Sequence, residues 1–136
     1  MSRRLLLDSN VVLRFLTGEP KAQAEAARNL FLSAASGDVV LEVCPVVVAE
    51  VFYTLESFYK VEREEVAVRL AALLSRKGIK VMEHDRVFDA LARLGKINVG
   101  FADAYLAAGA ALDSVPVASF DKDFDRFKDI KRVEPK

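Results

Sequence analysis

The sequence predicts an α/β fold of three layers, α/β/α, around a central, mostly parallel sheet of four or five strands. Three observations predict it. Short aliphatic or β-branched runs alternate with longer stretches of helical periodicity, the pattern of βα units whose sheet is covered on both faces. Glycines fall where the helical stretches stop, and no proline-rich or serine-rich linker divides the chain, so residues 1–136 read as one domain. The composition, 52% hydrophobic and 29% charged over 136 residues, is that of a chain able to bury a core.

In chain order, Arg4 to Leu7 is the first strand candidate. Val39 to Val43, Ile79 to Met82, Val115 to Ser119 and a weak stretch at Lys131 to Val133 follow. Helices are predicted from Ser9 to Leu16, stopping at Gly18, and from Pro20 to Ala35, stopping at Gly37. Pro45 suits the first turn of a helix reaching Tyr59, because its missing N–H has no helical partner there. Further helices are expected over Glu62 to Lys77, Asp85 to Leu94 and Phe101 to Leu112, with a short one over Lys122 to Phe127.

Several function classes are excluded. One cysteine, Cys44, permits no internal disulfide framework and no cysteine-rich zinc site, and one histidine, His84, permits no histidine cluster. His84 opens a helix and reads as structural. Behind Arg3 and Arg4 the apolar stretch is only Leu5 to Leu7, too short for a signal-peptide core, and no run approaches a membrane span, so a cytoplasmic protein is expected. With a net charge of zero, attraction to a nucleic acid has to come from a local basic patch and metal ions.

The informative residues are acids. Asp8 leaves the first strand, and Asp121 leaves the strand ending at Ser119; strand exits are where open α/β sheets bind ligands, though both positions also suit helix caps. Asp103 is the only charged residue between Phe101 and Leu112, in a helix otherwise made of alanine, leucine, tyrosine and glycine. Its first-turn position favours a carboxylate, and a buried one would call for a partner. Glu50 lies mid-helix among Val46, Val47, Val48, Val51, Phe52 and Leu55, sharing a stripe with Thr54 and Ser57, and reads equally as a site residue or as a solvent-facing one. If the four meet, their repulsion invites a cation, and oxygen-only ligands suit Mg²⁺ or Mn²⁺, the ions of paired-metal phosphodiester cleavage.

The segments LLLDSNVVLRFLTGEP, VVVAEVFYTLES, GFADAYLAA and ASFDKDF carry these acids, and through them the chain resembles the PIN-domain family, especially the VapC-like toxins of prokaryotic toxin–antitoxin pairs. The resemblance spans nearly the whole chain. It implies that Asp8, Glu50, Asp103 and Asp121 are catalytic and hold the metal, with Asp8 and Asp103 the best candidates for direct ligands; Asp123 reads equally as an additional acid or as a surface residue. Ser9, Asn10 and Ser119 match small polar positions that support the acids, with Ser119 standing where threonine is common. The resemblance further implies a first strand at the centre of the sheet, RNA hydrolysis, a homodimer and a cognate antitoxin that occludes the site.

Arg14 and the cluster Lys122, Arg126, Lys128, Lys131 and Arg132 could contact RNA phosphates, or simply solubilise the surface. Phe52, Tyr53, Leu55, Phe58 and Tyr59 wrap around more than one helix face, which suits a second subunit as well as a core. Two alternatives stand beside the nuclease. One is a haloacid-dehalogenase-like phosphatase, although Asn10 replaces its usual second Asp; the other is a non-catalytic module that binds RNA or antitoxin.

Overall fold

The computed structural model describes residues 3–136, and the predicted strands and helices form in the predicted order. They are β1 (Arg3–Leu6), α1 (Ser9–Thr17), α2 (Lys21–Ala35), β2 (Val39–Val43), α3 (Pro45–Ser57), α4 (Arg63–Leu74), β3 (Ile79–Val81), α5 (His84–Leu94), α6 (Phe101–Asp113), β4 (Val117–Ala118), the 3-10 helix Lys122–Arg126 and β5 (Arg132–Val133). Each helix is fixed by the apolar face it buries. α3 starts on Pro45 and buries Val48, Val51, Phe52 and Leu55, one face at helical spacing, while α1 ends where the Gly18 amide donates to Arg14 O at 2.9 Å.

All strand pairs are parallel, as expected, but the ladders form two sets. β2 lies between β1 and β3, with Leu5 opposite Leu41 and Leu41 opposite Ile79, whereas β4 and β5 pair with each other. The expected single sheet of four or five strands with β1 at its centre is therefore corrected: β2 is the strand hydrogen-bonded on both sides. β4 has only two residues and follows Pro116, which has no N–H to donate, so little ladder is available to it. The expectation that both sheet faces are covered fails at β1, where Leu6 is 80% exposed.

β2 is buried along its length, and the cost of its one charge is met by its neighbour. Glu42 is 4% exposed and accepts from the Arg4 guanidinium through both oxygens, the Nη2 to Oε1 bond measuring 3.0 Å. Arg4 holds the Glu42 carboxyl below the usual carboxylate range. The helices then close on this frame: α2 packs on β2, α4 and α5 on β3, α1 on α3, and α3 on α6.

α6 packs chiefly on α5. Its buried face is Ala104, Ala107, Ala108, Gly109 and Ala110, and a Cβ on Gly109 would stand 2.5 Å from the Arg86 guanidinium. Arg86 donates to Tyr105 O at 2.9 Å and lies over the Tyr105 ring. The small residues of α6 thus answer to helix packing.

Candidate metal centre

β1 delivers Asp8 to the start of α1. Asp8 occupies the cap position, yet its side chain makes no capping hydrogen bond; only its backbone carbonyl engages the helix, accepting from Val11 N at 3.2 Å. The carboxylate is exposed at the strand exit. Capping therefore does not occupy it, and Ser9 and Asn10 follow in the first turn of α1.

Asp121 behaves differently. Its Oδ1 accepts the Asp123 amide at 2.8 Å, so it caps the 3-10 helix, as its position suggested. Ser119 Oγ accepts the Asp121 amide at 2.9 Å and so fixes the backbone beneath the acid. This turn leaves the second Asp121 oxygen without an intramolecular partner among the described residues.

Asp103 lies in the first turn of α6, half-buried rather than fully buried. Burial, then the charges of Asp121 and Asp123, push its carboxyl above the usual carboxylate range. A buried anion with a partner was expected here; the neighbours that Asp103 feels are further acids. The charges of Asp121 and Asp123 thus reach Asp103 from a second chain segment, and a negative field at a carboxylate favours a cation. Carboxylate oxygens are the donors that hard divalent cations take.

The acids that raise the Asp103 carboxyl are Asp121 and Asp123, not Asp8 or Glu50. Among the described residues, no three Asp, Glu, His or Cys side chains form a group able to hold a metal ion. Glu50 is exposed, on the face of α3 that also carries Val46 and Tyr53, 68% and 69% exposed. Its stripe is thus solvent-facing but partly apolar.

The large apolar residues of α3 and its C-terminal end divide. Phe52 and Leu55 enter the core, whereas Tyr53 and Phe58 face outward. Arg14 donates to Gln23 Oε1 at 2.8 Å, and Arg132 is bound by Asp125, Glu134 and Ser119 O, so both of these candidate phosphate contacts are engaged. His84 is exposed, stacks on Phe88 and meets Asp85 at 3.1 Å. Sequence reading missed the Arg4–Glu42 pair; the charge within the apolar run VVLEV was its only signal.

The family model of the PIN domain matches residues 5–130. The chain belongs to the PIN-domain family, which sets aside the haloacid-dehalogenase-like alternative. Among solved structures, it is similar to a chain in the crystal structure of VapBC2 from Rickettsia felis bound to a DNA fragment from their promoter. That match has 20% identity, covers 98% of this chain and 99% of that chain, and has a TM-score of 0.40. A score this low carries no argument about activity or partner. No match was found among curated proteins.

Proposed function

We propose that the chain is a Mg²⁺- or Mn²⁺-dependent endoribonuclease that cuts RNA phosphodiester bonds, acting as the toxin of a toxin–antitoxin pair. The observation that carries this reading is the acidic field around Asp103, whose carboxyl is raised by burial and by Asp121 and Asp123. Membership of the PIN family supports it. In this reading Asp8 and Glu50 complete the acid set from α1 and α3, which pack one on the other.

A bound divalent ion supplies Lewis-acid stabilisation of the charge that builds on a phosphodiester as it is cut. The protein's own residues set the acids. Ser119 and the Asp123 amide orient Asp121, the first turn of α6 holds Asp103, and the exposed Asp8 carboxylate is left open to ligands by the absence of a cap bond. The outward Val46 and Tyr53 of α3 and Phe58 just after it support a protein partner, either an antitoxin or a second copy in a homodimer. No helix among the described residues is long and apolar enough to cross a membrane.

The test is cleavage of end-labelled RNA with millimolar Mn²⁺ or Mg²⁺ against EDTA. Metal-dependent cleavage, lost in Asp103→Asn, is expected; RNA left intact at every metal concentration overturns the reading. The second reading, a non-catalytic RNA-binding or antitoxin-binding module, is favoured by one observation: the absence among the described residues of a ready-made metal group. It predicts binding without cutting.

A further inference from the structure

The end of α5, the connection from α5 to α6 and the end of the 3-10 helix that carries Asp123 frame a cavity of ≈ 370 Å³ whose lining includes Arg93, Lys96, Arg126, Lys128, Asp89 and Asp129. Its two acids are taken by one residue. Arg93 donates to Asp89 at 2.5 Å and to both oxygens of Asp129 at 2.8 and 2.6 Å. Lys96, Arg126 and Lys128 also line the space; Arg126 and Lys128 donate to neutral carbonyls, Asn98 O at 3.1 Å and Asp125 O at 3.4 Å, which leave their charges uncompensated, so the cavity carries net positive charge. The protein as a whole carries none, so this is a local concentration of charge.

The cavity is tied to the acid-bearing segments through Arg126. Arg126 Nη1 donates to Asn98 O at 3.1 Å, tying the 3-10 helix to the α5–α6 connection that leads into Asp103. In a 3-10 helix residues three apart eclipse one another, so Asp123 and Arg126 lie on one side of it. The side of the 3-10 helix that turns Arg126 into the basic cavity thus also carries Asp123, one turn away.

We propose that this cavity binds the backbone phosphates of the RNA strand next to the bond being cut, with Lys96 and Lys128 as the phosphate contacts and Arg126 as the link that holds the cavity beside the acids. The proposal rests on the nuclease reading for its substrate. An acidic centre repels a polyanion, and a neighbouring basic cavity on the same segments offsets that repulsion while setting the path of the strand. Lys122 and Lys131 lie outside the cavity lining, and Arg132 is held by acids, so the cluster named from sequence reduces to Arg126 and Lys128, joined by Lys96.

The experiment measures binding of a fluorescent single-stranded RNA to the full chain in EDTA, across a range of salt. The variant Lys96→Gln/Lys128→Gln is compared with Lys21→Gln/Lys77→Gln, which removes the same charge elsewhere on the surface. The first pair is expected to bind about tenfold more weakly and to lower the slope of log K against log salt by about 1.4, or about 0.7 for each phosphate no longer neutralised. The second pair keeps the parent slope. Equal losses in both variants, an unchanged slope in the first, or no RNA binding by the parent would overturn the proposal. Cleavage judges the nuclease reading separately: a chain that cuts RNA but ignores Lys96 and Lys128 loses only the cavity, and one that needs both lysines to bind yet never cuts loses only the catalysis.

Discussion

The Ser119 hydroxyl oxygen accepts the Asp121 amide at 2.9 Å, while Asp121 in turn accepts the Asp123 amide at 2.8 Å, so a serine sets the backbone from which two acids project. Replacing Ser119 by Ala removes the first bond and should cost about 1 kcal/mol of stability. If the acids hold a divalent ion, affinity for it should fall by about tenfold, because a group that orients a ligand is lost. Mn²⁺ titration followed by thermal melting checks this. Ser119→Thr keeps the hydroxyl and should behave like the parent; an equal loss in both variants would deny the serine this role.

Asp103 should oppose folding when no metal is present. Its folded-state carboxyl sits above the ordinary range, so the folded chain holds a proton there more tightly than the unfolded chain does. Stability contributed at this site is therefore highest below the unfolded pKa and falls as pH rises through the folded one. In EDTA at neutral pH, Asp103→Asn should melt higher than the parent, and the difference should vanish in acid. Metal reverses the order: at 100 times its dissociation constant it should add ~2.7 kcal/mol to the parent and less to the variant. Cleavage by the variant should fall at least about 100-fold. A variant that melts lower than the parent in EDTA would show that Asp103 holds the fold together instead.

The fold was legible because its signals are local. Pro45, Gly18 and the apolar spacing of Val48, Val51, Phe52 and Leu55 each act within one helix, and β2 falls at its predicted residues. Strand pairing was not legible. Whether β4 joins β1 depends on partners far apart in sequence and on the N–H that Pro116 lacks. The Arg4–Glu42 pair depends on parallel register, with Arg4 opposite Val40 and Leu6 opposite Glu42, which no single strand encodes. At the centre, strand exits marked Asp8 and Asp121. The sequence could not reveal that one acid caps a helix and the other does not, because that is decided by side-chain torsions. The apolar, small face of α6 suggested a site and proved to be the seat of Arg86.

The turn between α4 and β3 should tolerate nothing but glycine at position 78. Gly78 has φ +87, and a Cβ there would lie 2.3 Å from Ala34 O in the α2 backbone. Gly78→Ala should cost about 2–4 kcal/mol, since strain and a backbone clash add. Gly37→Ala is the control: φ is +91, but nothing lies within 4 Å of the added Cβ, so about 1 kcal/mol of backbone strain is expected alone. Urea denaturation separates the two, and similar costs would mean that α2 moves aside freely.

Arg93 should make the C-terminal segment sensitive to acid. It bridges Asp89 and Asp129 and lies over the Phe127 ring at 5.5 Å, and it holds the Asp129 carboxyl below the usual range. A depressed folded-state pKa gives stability that is complete above the unfolded value, about 3.9, and is lost as pH falls through the folded one. Asp129→Asn should therefore cost about 0.5–1 kcal/mol at pH 7, a small amount because Asp129 is largely exposed and solvent screens the pair. The gap between variant and parent should narrow as the pH is lowered below the carboxylate range, and urea denaturation at a series of pH values follows it. Arg93 also lines the basic cavity, and freeing it from Asp129 raises the positive charge there, so the same variant should bind single-stranded RNA more tightly even as it unfolds more easily. A stability gap that stays constant with pH would mean that Asp129 acts through packing and not through its charge.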